Sequence, residues 1–195
     1  AMDEGGAAHA SGTAATLVAP AMRENLEQLA AGATSLALSA FRNQFTSSDW
    51  LQLADALKAS PPLTSLRLFG YDDAGPPNHL MVVIDALHTN TVLTKLSVRA
   101  TKSGEEAARA LAALLTNNST ITSLDFGKDT TIGANGLRVL ASALKTNLSL
   151  TVLKLPLCGM GDDGARALAD ALKNNLSLKE LHLIYNNVSD DGARA

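Results

Sequence analysis

The stretch GDDGARALADALKNNLSLKELHL, residues 161–183, decides the fold. It holds a paired aspartate, Asp162 and Asp163, then a glycine, an alanine-rich run, two asparagines and alternating leucines. A lone acidic pair invites a reading as a metal or acid–base site. This pair returns 28 residues later, where SDDGARA at 189–195 repeats GDDGARA at 161–167. Recurrence at a fixed period of about 20–50 residues is the mark of a solenoid or array, in which each position serves the repeat.

The leucine pattern that closes the stretch runs along the chain. It reads ATSLAL (33–38), LTSLRL (63–68), LTKLSV (93–98), ITSLDF (121–126), LTVLKL (150–155) and LKELHL (178–183). The central leucines are Leu36, Leu66, Leu96, Leu124, Leu153 and Leu181, at spacings of 30, 30, 28, 29 and 28. Each start alternates apolar and polar residues, as a strand with one buried face does. Each is followed by a stretch with apolar residues at helical spacing: 51–60, 81–90, 106–118, 135–147 and 165–175. The unit is strand, loop, helix, turn.

Every part of 161–183 then has a mechanical role. Asp162 or Asp163 is expected to cap a helix start and favour its positive end. Gly164 is expected to allow close approach of helix and strand. The alanines keep the helix slim enough to stack at the strand spacing of roughly 4.8 Å. Asn174 or Asn175 is expected to take the left-handed conformation that ends a helix.

The pattern resembles the leucine-rich repeat signature L-x-x-L-x-L-x-x-N/C-x-L, which LTVLKLPLCGM (150–160) and LKELHLIYNNV (178–188) fit position by position. The repeat length and full helix resemble the ribonuclease-inhibitor-type subclass. The resemblance implies an α/β solenoid of about six repeats, curved like a horseshoe. Its parallel β-sheet would lie on the concave face and its α-helices on the convex face. It also implies that Cys158 and Asn186 hydrogen-bond loop backbone between neighbouring repeats. The corresponding positions elsewhere are Tyr71, Thr101 and Asp129, with Phe41 near it in the first repeat beside an unusual NQFTSSDW insert at 43–50. Pro76 and Pro77 imply a rigid, irregular loop after Tyr71. GARALA at 164–169 is similar to the repeat motif of GALA-type effectors of plant-pathogenic bacteria. The subclass also includes innate-immune receptor repeats, a GTPase-activating protein for Ran and pointed-end actin-capping proteins.

Composition sets the limits. The chain has 195 residues, 46% of them apolar and only 4% aromatic, which suits layers of leucine and alanine. Net charge is −3, so no global basic field points to nucleic acid. No apolar run approaches about 18 residues, so no membrane span is expected. Residues 1–15 read as a tail or cloning remnant, and 16–195 as the repeat domain. Within it, 16–32 forms an N-terminal capping helix starting near Pro20, and 33–195 the repeats, the last one truncated. An uncapped C-terminal end predicts a fragment of a longer protein and self-association through that end. Five N-x-S/T sequons, at Asn117, Asn118, Asn147, Asn175 and Asn187, arise from the repeating turn and do not require glycosylation.

Motifs that carry chemistry are missing. The four histidines, His9, His79, His88 and His182, make no HExxH, and the one cysteine makes no CxxC. No P-loop appears, and GYDDAG at 70–75 lacks calcium-ligand spacing. The sequence predicts no enzyme, no cofactor and no metal. It does predict a continuous sheet whose residues between the core leucines point outward. Candidate partner-binding residues there and at its rim are Arg67, Phe69, Tyr71, Lys95, Arg99, Asp125, Lys154, His182 and Tyr185. An arginine beside an exposed aromatic has the make-up of a binding hot spot.

The leading expectation is a protein–protein interaction module, binding a protein partner on the concave face. It would be the target-recognition part of a larger protein, such as a microbial effector or innate-immune-type receptor. It would work in the cytoplasm, or in the host cytoplasm if secreted as an effector. The alternatives that the resemblance implies are a Ran-type GTPase activator, which needs a positioned arginine or asparagine near the nucleotide, and an actin pointed-end-capping-like protein.

Overall fold

A computed structural model describes residues 19–39, 45–59, 61–70 and 79–194. Six strands form one parallel sheet in chain order: β1 (Ser35–Ser39), β2 (Ser65–Phe69), β3 (Lys95–Arg99), β4 (Ser123–Gly127), β5 (Val152–Lys154) and β6 (Glu180–His182). Among the described residues, helices alternate with them: α1 (Pro20–Ala30), α2 (Ser47–Lys58), α3 (His79–Ala86), α4 (Gly104–Asn117), α5 (Gly133–Leu144), α6 (Gly161–Leu172) and α7 (Asp190–Ala193). The architecture is an α/β solenoid in which each repeat lays one strand beside the last.

The register follows the leucines. Leu36, Leu66, Leu96, Leu124, Leu153 and Leu181 pair across all five strand junctions. The first five of these leucines are at most 2% exposed, and Leu181 is 36% exposed. The core is a stack of these leucines against the apolar stripe of each helix, such as Leu111, Leu114 and Leu115 on α4 and Leu137, Leu140 and Leu144 on α5. Proline at its start and buried Met22 and Leu29 fix α1 against α2 and β1. Part of the segment read as an insert is the start of α2. Thr46 caps it in a reciprocal box with Asp49, and Trp50 is buried.

The asparagines that follow α3, α4, α5 and α6 form a ladder that the sequence did not disclose. Asn174 and Asn175 do not take the left-handed conformation expected of them. Instead Asn175 donates from Nδ2 to Leu144 O at 2.7 Å and accepts from Leu178 N at 2.8 Å. Asn147 does the same with Leu115 O at 2.7 Å and Leu150 N at 2.8 Å. Asn118 accepts from Ile121 N and donates to Asn90 O, and Asn90 accepts from Leu93 N and donates to Leu57 O. Each side chain closes its own turn and grips the preceding repeat, satisfying buried backbone groups at both ends.

A second ladder lies after each strand. Asn186 Oδ1 accepts from Cys158 N at 2.8 Å, and its Nδ2 donates to Leu155 O at 2.5 Å. Cys158 Sγ reaches Phe126 O at 3.3 Å. Asp129 Oδ2 accepts from Gly104 N at 3.0 Å and meets the Thr101 hydroxyl at 3.5 Å. These are the loop positions that the repeat signature implied, whereas Phe41 and Tyr71 lie outside the described residues. Between strand and ladder runs a column of left-handed residues, Gly70, Ala100, Lys128, Leu157 and Tyr185, with φ of 62, 55, 59, 54 and 59°. The first four each send their N–H to a carbonyl at or just past the end of the next strand: Gly70 to Arg99 O, Ala100 to Gly127 O, Lys128 to Pro156 O and Leu157 to Ile184 O. That repeated bond offsets the steric cost of a left-handed side chain.

Candidate functional site

The acidic pair is structural, though not as a cap of its own helix. The N-cap of α6 is Met160, with no side-chain cap bond. Asp162 accepts from Ser189 N at 2.8 Å and from the Ser189 hydroxyl at 2.7 Å, tying α6 to the start of α7. These bonds, the hydroxyl's first, hold its carboxyl below the usual range. Asp163 pairs with Arg166 at 3.0 Å, one helical turn along. Gly164 serves helix–helix rather than helix–strand packing: a Cβ there would lie 2.8 Å from Met160 Cγ and 3.3 Å from Leu137 Cδ1 of α5.

Nor is there a nucleophile at Cys158. The thiol is buried, and burial, then the charges of Asp129 and Asp125, push its pKa up to about 12. A thiol so held stays protonated and inert. Among the described residues no group of three or more His, Cys, Asp or Glu is placed to hold a metal. No helix of the described residues is long and apolar enough to cross a membrane.

What the fold does assemble is the outer side of the sheet. Strand register aligns Arg67, Ser97, Asp125, Lys154 and His182 as one row, each on the strand after the last. A parallel row alongside it holds Phe69, Arg99 and Gly127. Arg67 is exposed and lies over the Phe69 ring, 5.2 Å from its centroid. Arg99 reaches diagonally to β4, where its Nη1 stands 3.5 Å from Asp125 Oδ2. Lys95 is exposed, and Lys154 is half-buried beside Asp125. His182 Nε2 stands 3.8 Å from Glu180 Oε2 on the same strand. Tyr185 follows β6 in the left-handed column and is 75% exposed.

Arg67 with Phe69, and Arg99 with Asp125, are thus brought together, with Lys95 and Lys154 to either side. His182 ends the row beside Lys154, Tyr185 stands apart beyond β6, and Tyr71 lies outside the described residues. Sequence reasoning missed the role of Ser97, whose hydroxyl sits buried in the row between Arg67 and Asp125 without a hydrogen-bond partner. Its signal was its place in the Arg67 row. The sequons at Asn118, Asn147 and Asn175 are spent: those side chains are the turn ladder itself.

Residues 146–169 and 174–195 match the family model described as Leucine Rich repeat. No curated protein matches the chain in sequence. Among solved structures, the chain is similar to one titled Leiomodin-1 Actin-Binding Site 2, at 25% identity and a TM-score of 0.58, over 69% of this chain and 78% of that one. It is also similar in fold to a tropomodulin C-terminal domain from Caenorhabditis elegans, at 13% identity and a TM-score of 0.55, over 89% and 87% of the two chains. Repeat spacing, sheet order and these likenesses agree on the architecture: the chain folds as a leucine-rich repeat solenoid.

Proposed function

We propose that this chain is a recognition module that holds a protein partner on its concave sheet, as the target-recognition part of a larger protein. The observation that supports it is the unbroken row Arg67, Ser97, Asp125, Lys154, His182. It is a row of charged and polar side chains held in register on five neighbouring strands. Solenoids use such extended faces to bind partners. The test is affinity capture from lysate, comparing the chain with an Arg67→Glu, Lys154→Glu variant of unchanged melting temperature. A partner held by the parent and lost by the variant supports the reading. A partner retained equally, or none at all, refutes it. Self-association at the exposed β6 edge, where Leu181 emerges, belongs to the same proposal. Sedimentation showing only monomer at rising concentration removes that part.

A second reading is favoured by one observation, the likeness to a structure whose name specifies actin binding. On this reading the partner is actin. Co-sedimentation with filaments and the rate of pointed-end elongation test it, and no change in either removes it.

A further inference from the structure

The partner's chemistry is narrowed by three atoms at the middle of the concave face. Ser97 Oγ, Arg99 Nε and Asp125 Oδ1 are shielded from solvent and have no hydrogen-bond partner. Buried polar atoms are seldom left so, because each forfeits the bonds it made to water. They belong to one patch: Ser97 and Arg99 are on β3, and Asp125 is the register partner of Ser97 on β4.

Arg99 is only half used. Its single ion-pair contact, Nη1 to Asp125 Oδ2 at 3.5 Å, exceeds the roughly 2.7–2.9 Å of a well-made charged bond. A guanidinium is a planar fork that grips a carboxylate through two N–H groups at once, and here the Nε–H is idle. Beside it on β2, Arg67 is held over Phe69. Lys95 stands exposed two residues before Ser97. Among the described residues neither Arg67 nor Lys95 has an ion-pair partner. Arg67, Lys95 and Arg99 on β2 and β3, with Lys154 as the register partner of Asp125 on β5, therefore make this part of the face cationic in a chain whose net charge is −3.

We propose that this patch binds an acidic protein segment, one of whose carboxylates takes the Nε–Nη edge of Arg99 and displaces Asp125. The inference rests on the concave-face reading and gives that partner its charge. In the free chain Asp125 is a placeholder: it offsets the charge of Arg99 without filling its fork. A partner carboxylate fills the fork, and Asp125, set free, turns Oδ1 to a backbone N–H of the bound segment. A basic segment meets Arg67 and Lys95 as repulsion, and a neutral one leaves Arg99 Nε unpaired. Nucleic acid would also be anionic, but Asp125 and Glu180 on the same face repel a phosphate backbone that carries charge at every step.

The experiment is a selection of random dodecapeptides displayed on phage against the whole chain. Selected peptides are then synthesised with a fluorophore and titrated by anisotropy. Enrichment in Asp and Glu is expected. Arg99→Gln should weaken binding roughly tenfold, and the exposed Lys95→Ala roughly threefold, at unchanged melting temperature. Asp125→Asn should tighten it roughly threefold, because it releases Arg99. Neutral or basic binders that Arg67→Glu with Lys154→Glu abolishes would overturn the acidic partner and spare the concave face. Binders indifferent to every substitution, or an empty selection, would overturn both. Weaker binding by Asp125→Asn would overturn the displacement. An oligodeoxynucleotide of equal charge that binds as tightly would overturn the assignment to protein.

Discussion

Replacing Asn147 by alanine tests the mechanism that holds one repeat to the next. The side chain is 4% exposed and makes two well-formed buried bonds, Nδ2 to Leu115 O at 2.7 Å and Oδ1 from Leu150 N at 2.8 Å. A third, from Ser149 N at 3.1 Å, is only partly buried. Alanine fills no space that water can use at Leu115 or Leu150, which are 1% and 0% exposed. Each orphaned buried group costs about 1–3 kcal/mol, so two of them, with some relaxation of the turn, predict a loss of about 3 kcal/mol. For a folded unit of this size that lowers the melting midpoint by roughly 6–12 °C. Circular dichroism on heating, and urea titration at 25 °C, measure it. The control is the neighbour Asn117→Ala, exposed and reaching only Ala113 O at 3.4 Å, which should stay within about 0.5 kcal/mol of the parent. Asn147→Asp keeps the acceptor but loses the donor to Leu115 O and buries a charge, so it should cost at least as much as alanine. If Asn147→Ala melts with the parent, the asparagines are spectators and the stacking of leucine and alanine layers alone holds the repeats.

Other outcomes follow from single observations. Gly104→Ala should destabilise by about 2–4 kcal/mol, since φ is 45° and the new Cβ would lie 2.5 Å from Thr131 Oγ1; a melting temperature equal to the parent's would contradict the geometry. Cys158 should not react with a disulfide reagent at pH 8 until the chain is unfolded, its thiol being buried and raised to about 12; prompt stoichiometric labelling of the native protein would refute this. Asp162 has a lowered pKa in the folded state, so its bonds to Ser189 contribute above the ordinary carboxylate value of about 4 and are lost as pH falls through the folded value. The Ser189 amide resonance should therefore titrate in acid and stop doing so in Asp162→Asn, and an unaltered titration in that variant would exclude the pairing.

Much of this was legible because it repeats. The core leucines gave strand number, order and register, since a spacing of 28–30 residues leaves each Leu opposite the last. What escaped was what a residue type alone does not determine. An asparagine after a helix suits a left-handed cap and a side-chain turn equally, and only the carbonyl of the preceding repeat decides for the turn. Asp162 sits where a helix cap belongs, but the hydroxyl it finds is on the following repeat. The left-handed column was invisible because only Gly70 among its members advertises that conformation. The candidate site divides along the same line. Alternation along each strand placed Arg67, Lys95, Arg99 and Asp125 on the outer face, and adjacency in sequence placed Arg67 near Phe69. The Arg99–Asp125 contact is diagonal, between different rows of neighbouring strands, so it depends on twist and rotamer rather than on period. That diagonal leaves Arg99 Nε and Asp125 Oδ1 unpaired, and so it separates a surface that merely carries charge from one with unfilled bonding capacity. The repeat set the rows of outward side chains, and the departure from it at Arg99 and Asp125 left bonding capacity unfilled there.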